Sequence, residues 1–315
     1  MATMKAVRVH AFGGAEKMIL EEVPRPVIAE DELLVRVHAA GINPADWKVR
    51  EGYLQEFLGL TLPFIPGYDL SGVVEEIGAA VEDFQPGDPV FALLNLTRPG
   101  AYAEYAVVKA AEAVIKPDSL DHAQSAAVPL AALTAWQCLF DVAGLQSGQK
   151  VLIHAAAGGV GHFAVQFARW VGAHVIATAS AANLEYLRLI GAHQVIDYTA
   201  VRFEETAGEV DVVLDLMSGE TRERSWPLLR KNGILVTTLP PEPSAEVQAR
   251  YHVRAAAMLV KPDSLQLGEI AQLIDSGMVR PAVRAYPFAD FRQANQQCQA
   301  GHVRGKLVLV VREQD

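Results

Sequence analysis

The stretch Val151-Leu152-Ile153-His154-Ala155-Ala156-Ala157-Gly158-Gly159-Val160-Gly161 decides the fold. It opens as a short apolar strand and runs through a glycine cluster into a helix. In that helix Val160, Phe163, Ala164, Phe167, Ala168 and Val171 form one apolar stripe, and Gly172 caps it. Strand candidates follow at His174–Thr178, Gln194–Ile196, Val210–Leu214 and Ile234–Thr238, with a sixth at Val253–Val260. Strands that alternate with helices imply a parallel, doubly wound α/β sheet.

Against the pattern GxGxxG, the first position is Ala156, the second Gly158 and the third Gly161. The middle glycine lets the backbone approach a pyrophosphate, and the third lets the helix pack close on the strand. The helix N-terminus then offers N–H groups and a positive dipole end to the phosphates. Ala156, Gly158, Gly159, Val160 and Gly161 are therefore the expected dinucleotide-binding loop. The second strand selects the cofactor, because an acid roughly 20 residues on binds the ribose 2′-hydroxyl of NADH. Here the strand ends Ile176-Ala177-Thr178-Ala179-Ser180, and the nearest acid, Glu185, lies inside the next helix. Ser180 and Asn183 can donate to a 2′-phosphate, although the loop holds no Arg or Lys. NADPH is expected over NADH.

Upstream, the texture is β. Leu33–Ala39, Ser71–Ile77, Val90–Ala92 and Tyr102–Val108 read as strands, and Gln85-Pro86-Gly87-Asp88 as a turn. The first ~120 residues thus form a small β-rich domain. The pattern changes near Pro129, where Leu130 to Phe140 suits a helix, and the tail adds a helix near Asp290–Ala300 and a strand at Lys306–Val311. Of the 315 residues, 51% are hydrophobic and 20% charged, which is globular composition. A net charge of −10 repels phosphate backbones and argues against a nucleic-acid partner. Cys138 and Cys298 stand alone, so neither a disulfide framework nor a cysteine zinc module is expected, and a cytoplasmic location fits. MATMKAVRVH lacks a signal-peptide core. Ser125 to Phe140, interrupted by Pro129, Thr134 and Gln137, is too short to span a membrane.

Several motifs recur together in order. They are Gly41-Ile42-Asn43-Pro44-Ala45-Asp46, Pro63-Phe64-Ile65-Pro66-Gly67-Tyr68-Asp69-Leu70-Ser71-Gly72, Pro86-Gly87-Asp88, Gly100-Ala101-Tyr102-Ala103-Glu104-Tyr105, the Ala156–Gly161 loop and Gly301-His302-Val303-Arg304-Gly305-Lys306. On these the chain resembles, over nearly its whole length, the zinc-independent quinone oxidoreductase (ζ-crystallin-like) branch of the medium-chain dehydrogenase/reductases. The resemblance implies a GroES-like substrate domain from both chain ends, residues 1–122 and 276–315, around a Rossmann domain, residues 123–275. It also implies a homodimer, with Val253–Val260 as the pairing edge.

By motif alignment, the catalytic zinc ligands of related alcohol dehydrogenases fall on Asn43, Tyr68 and Leu130, none a usual zinc ligand, so no metal is expected. Without a Lewis acid, alkoxide stabilisation is lost, whereas quinones and conjugated enones accept hydride from NADPH directly once positioned. The resemblance places Asn43 at the substrate or cofactor, facing the nicotinamide. It places Tyr53, in Arg50-Glu51-Gly52-Tyr53, at the substrate mouth, Thr134 beside the nicotinamide and Tyr198 near the 2′-phosphate. Tyr68 and Lys48 are candidate proton donors beside water. Tyr105-Ala106-Val107-Val108-Lys109 matches YxxxK, but in a strand its ends lie roughly 13 Å apart. Asp69 is expected to hydrogen-bond structurally rather than act as an acid. The expected activity is NADPH-dependent reduction of quinones or α,β-unsaturated carbonyls. The alternatives are an enoyl thioester reductase and a non-catalytic NADPH-binding sensor.

Overall fold

The computed structural model describes residues Ala2 to Arg312 and divides into two compact units. The first comprises the chain up to Leu130, Lys261–Gly277 and the chain from Pro281 onward, and the second comprises Ala131–Val260 and Met278–Arg280.

The first unit begins with strands β1 (Thr3–Val9), β2 (Met18–Pro24), β3 (Glu32–Ile42), β4 (Asp69–Ile77), β5 (Pro89–Leu93), β6 (Tyr105–Lys109) and β7 (Ala113–Ile115). Short helices α1 (Pro44–Arg50) and α2 (Gln55–Leu58) follow β3, and α3 (His122–Ala126) follows β7. Helix α4 (Pro129–Trp136) leads into the second unit, whose strands are β8 (Lys150–Ile153), β9 (His174–Ala179), β10 (Gln194–Asp197), β11 (Val210–Asp215), β12 (Leu229–Thr237) and β13 (Arg254–Ala257). Its helices are α5 (Gly159–Trp170), α6 (Leu184–Leu189), α7 (Gly219–Ser225) and α8 (Ala245–Tyr251). The chain then returns to the first unit with α9 (Ser264–Asp275), β14 (Val283–Pro287), α10 (Phe291–Ala300) and β15 (Lys306–Val310).

The second unit holds one parallel sheet in the order β10-β9-β8-β11-β12-β13, so the strand order reverses between β8 and β11. Val151, Leu152 and Ile153 are fully buried, as parallel strands with both faces covered require. The stripe of α5 turns Phe163, Ala164, Phe167 and Ala168 inward while Arg169 and Trp170 reach solvent. Gly172 follows that helix at φ +87°, a conformation side chains resist. The first unit is mainly antiparallel, with sheet order β14-β15-β3-β4-β5-β7 and β6 on β3, and a separate β1–β2 pair. The returning strand β15 lies between β14 and β3.

Three elements differ from the sequence reading. The segment read as a strand from Tyr102 pairs only from Tyr105, because Tyr102 gives its N–H to the Pro66 carbonyl and its own carbonyl to the Val7 N–H. The sixth parallel strand stops at Ala257, where its partner β12 ends at Thr237. The helix read from Leu130 to Phe140 is α-helical only to Trp136 and then widens into a π turn, Gln137–Val142, in which the Ala143 N–H reaches the Cys138 carbonyl. Met278–Arg280, expected in the β-rich domain, fall in the second unit, and residues 123–130 and 261–275, expected with the parallel sheet, fall in the first. There α3 packs on β3 and β4, and the Asp275 carboxylate accepts from the Ser119 N–H at 2.9 Å and hydroxyl at 2.7 Å.

Candidate functional site

The glycine loop bridges β8 and α5 and is pinned on both sides. The His154 N–H donates to the Leu214 carbonyl of β11 at 3.1 Å, and the Ala156 N–H to the Thr178 carbonyl of β9 at 3.2 Å. Beneath it the buried His154 ring accepts from the Thr178 hydroxyl at 3.0 Å and donates from Nε2 to the Ser225 oxygen at 2.9 Å. That tautomer follows because the Ser225 hydroxyl gives its own hydrogen to the Thr221 carbonyl. Burial pushes the His154 imidazole down to about 4, so it is a neutral strut at neutral pH.

The two glycines differ in what surrounds them. A Cβ on Gly158, which has φ −77°, would meet only the Ala155 carbonyl oxygen, at 3.2 Å. On Gly161 it would sit 2.4 Å from that oxygen and 2.6 Å from the Ala156 Cα. No side chain caps the first turn of α5. The cradle, the open N-terminal turn and the uncharged end of β9 fit a phosphorylated dinucleotide. At the carboxyl end of β9 stand Ser180 and Asn183, their side chains 3.4 Å apart, and the Tyr198 N–H bonds the Ala179 carbonyl, so the structure brings all three to one edge. Thr134 is buried on α4.

In the first unit a buried polar cluster gathers Asn43, Asp46, Asp69, Tyr102 and Lys306. The Lys306 ammonium, 4% exposed, donates to the Ile42 carbonyl at 2.9 Å, to the Asp69 carboxylate at 3.2 Å and to Asn43 Oδ1. Asn43 Nδ2 donates to the same carboxylate at 2.9 Å, so both ends of the amide are tied and its orientation is fixed. The other Asp69 oxygen accepts from the Leu130 N–H at 2.7 Å. Two of the three aligned positions, Asn43 and Leu130, therefore donate to one carboxylate, that of Asp69, and the third, Tyr68, precedes it in the chain. Asp46 accepts from the Asn43 N–H at 2.7 Å and the Tyr102 hydroxyl at 3.0 Å. Burial raises its carboxyl to about 7 against the pull of those two donors and of Lys306. Tyr68 is buried beside this cluster, and its hydroxyl has no hydrogen-bond partner among the described residues. Burial, with the charge of Asp46, raises its phenol. Tyr53 stands apart, 71% exposed with its ring edge-on to Trp47.

Lys306, His154, Asp215 and Arg222 hold positions in these networks that their sequence context alone does not assign. A lysine opening the apolar run Lys306–Val310 was the visible signal, since an ammonium on a buried strand needs a carboxylate.

Known proteins share this fold and sequence. A profile described as an alcohol dehydrogenase GroES-like domain matches residues 29–118, and one described as a zinc-binding dehydrogenase matches residues 190–309. The chloroplast envelope quinone oxidoreductase homolog of Arabidopsis thaliana is 33% identical over 97% of this chain and 98% of its own. The structure of the quinone oxidoreductase from Coxiella burnetii superposes with a TM-score of 0.92 at 35% identity, covering 99% of this chain and 100% of that one. The chain belongs to the quinone oxidoreductase branch of the medium-chain dehydrogenase/reductases. A further relative of this oxidoreductase family, the mitochondrial NAD(P)H oxidoreductase RTN4IP1 of Mus musculus, is 35% identical over 89% of this chain and 82% of its own. Within the family's architecture the parallel unit is its Rossmann domain and the β-rich unit its GroES-like domain. No helix among the described residues is long and apolar enough to cross a membrane.

Proposed function

We propose that the protein is an NADPH-dependent, zinc-free oxidoreductase that passes hydride to quinones or α,β-unsaturated carbonyls. The glycine cradle carries this reading: an unobstructed Gly158 backbone before an uncapped helix suits a pyrophosphate. Gly158, Gly159, Val160 and Gly161 would hold the phosphates. Ser180, Asn183 and Tyr198 would hold the 2′-phosphate, with no carboxylate at the end of β9 to repel it. When bound, the reduced nicotinamide supplies hydride.

On the substrate side, Asn43 is a rigid donor. Lys306 on its carbonyl oxygen polarises the amide and raises the acidity of its N–H groups. The N–H not given to Asp69 is the one to meet a substrate carbonyl as negative charge develops there. Tyr68 offers a second hydroxyl. Support for a metal-free reaction comes from the donor set: an amide, a phenol and a leucine stand at the aligned ligand positions. Among the described residues no three His, Cys, Asp or Glu side chains gather to hold a metal. The same reading expects a cytoplasmic homodimer paired through the edge strand β13.

The test is NADPH oxidation against quinones, enones and enoyl thioesters, run beside elemental analysis for zinc. Turnover of quinones or enones without stoichiometric zinc is expected. Turnover confined to enoyl thioesters, absence of any turnover, or one tightly held zinc per chain would each refute part of the reading.

A further inference from the structure

We propose that Arg222 is a positioning residue that sets the loop after β12 against the nicotinamide half of the dinucleotide, an inference that rests on the cofactor reading above. In a doubly wound sheet the ligand lies outside the carboxyl ends of the strands where their order reverses. Here that is between β8 and β11. The glycine loop serves the β8 side. The loops after Asp215 of β11 and Thr237 of β12 serve the other, where the second half of a dinucleotide extends.

Arg222 joins those two loops. It is 4% exposed and donates from Nε to Asp215 Oδ2 at 2.6 Å. Its remaining nitrogens reach the Thr237 hydroxyl at 2.8 Å, the Leu239 carbonyl at 2.6 Å and the Pro241 carbonyl at 2.5 Å. The Ser218 hydroxyl takes the carbonyl between these two, that of Pro240, at 2.9 Å. Three successive carbonyls are thus held in a loop whose three prolines, Pro240, Pro241 and Pro243, have no N–H with which to brace themselves. Asp215 in turn accepts from the Met217 and Ser218 N–H groups at 3.0 and 2.8 Å, and Ser218 is held at φ +64°, a strained value for serine.

Stability alone does not call for this arrangement. A buried ion pair loses hydration that its attraction only partly offsets, and well-packed apolar residues serve a core as well or better. The fork of a guanidinium does what an apolar side chain cannot, fixing several carbonyls in one geometry. The same helix continues to Ser225, which receives the His154 Nε2–H beneath the glycine loop. One face of α7 therefore braces both loops that flank the reversal point.

The test compares Arg222→Lys with the wild type in two fluorescence titrations, NADPH and its adenine-half fragment adenosine 2′,5′-bisphosphate, alongside thermal unfolding. Lysine keeps the charge and loses the fork. We expect NADPH affinity to fall at least tenfold while the fragment binds within about twofold of wild type, because only the nicotinamide half feels the displaced loop. If the lysine variant does not fold, Asp215→Asn combined with Arg222→Gln, which removes both buried charges together, carries the same comparison. Unchanged NADPH affinity in a folded variant, equal weakening of both ligands, or failure of both variants to fold would overturn the proposal. A wild-type protein that binds neither ligand would instead overturn the cofactor reading.

Discussion

Gly158 and Gly161 stand three residues apart in one loop, and their substitutions should fail in opposite ways. In Gly161→Ala the new methyl lies 2.4 Å from the Ala155 oxygen, 2.6 Å from the Ala156 Cα and 2.8 Å from the Ala156 carbonyl carbon. All three are backbone atoms, so no rotamer relieves the contact. The loop cannot withdraw, because β9 and β11 hold it through Ala156 and His154. Helix α5 must therefore back away by about 1 Å, opening its packing on β8. Overpacking of this kind costs about 1–3 kcal/mol, and the helix preference of alanine over glycine returns somewhat under 1 kcal/mol. A net loss of up to about 2 kcal/mol lowers the melting temperature of a 315-residue chain by up to about 3 °C. The Cβ of Gly158→Val meets only one atom, the Ala155 oxygen at 3.2 Å, with φ −77° that valine adopts freely. Its melting temperature should stay within about 1 °C of wild type, while its branched side chain fills the pyrophosphate approach. Dinucleotide affinity should drop at least tenfold, about 1.4 kcal/mol. Differential scanning calorimetry and fluorescence titration on both variants decide the matter. A Gly161→Ala protein as stable as wild type, or a folded Gly158→Val protein that binds normally, would refute the division of labour.

Acid should destabilise the fold through its buried imidazoles. His154, and His122 stacked on His38, both have folded values of about 4 against an ordinary 6.5, so each favours folding while neutral. That stability is complete above pH 6.5 and is lost as pH falls toward 4, by on the order of 3 kcal/mol for His154. Urea unfolding at stepped pH should show this slope, and His154→Gln should flatten it. At the end of β9, Ser180→Asp should weaken NADPH at least tenfold and NADH much less, and equal losses would disprove the proposed 2′-phosphate contact. Lys306→Met leaves Asp69 as a buried, uncompensated charge and should cost about 3–5 kcal/mol by chemical denaturation. Adding Asp69→Asn should restore much of that loss, and a double variant no more stable than the single one would contradict the pairing.

The parallel unit was legible because its signals are local. Strand, glycine loop and amphipathic helix follow one another within Val151–Trp170, and the period of the apolar residues changes where the structure changes. The ends of elements were less so, since they depend on a partner's length: nothing in Met258-Leu259-Val260 says that β12 has already stopped. Helix α9 looks from sequence like any helix of the doubly wound sheet, and only its packing on β7 and the bonds of Asp275 to Asp118 and Ser119 assign it to the β-rich unit. The site divided in the same way. The glycine positions could be placed by spacing, whereas the surroundings of Asn43 could not, because its amide is fixed by Asp69 and by Lys306, 263 residues away.

The placement of β15 between β14 and β3 also governs the order in which this chain can mature on the ribosome. Every strand of the parallel sheet has been synthesised by Ala257, so that sheet can close while translation continues. The β-rich sheet has to wait. Until Lys306–Val310 emerges, β3 keeps an unpaired edge along Ala39–Ile42, and the Asp69 carboxylate lacks its ammonium. A nascent chain at that stage carries an open strand edge beside an unneutralised acid, the kind of surface that invites edge-to-edge association. The parallel unit should therefore become resistant to protease first. Emergence of Lys306–Val310 would then complete the β-rich unit in a single late step.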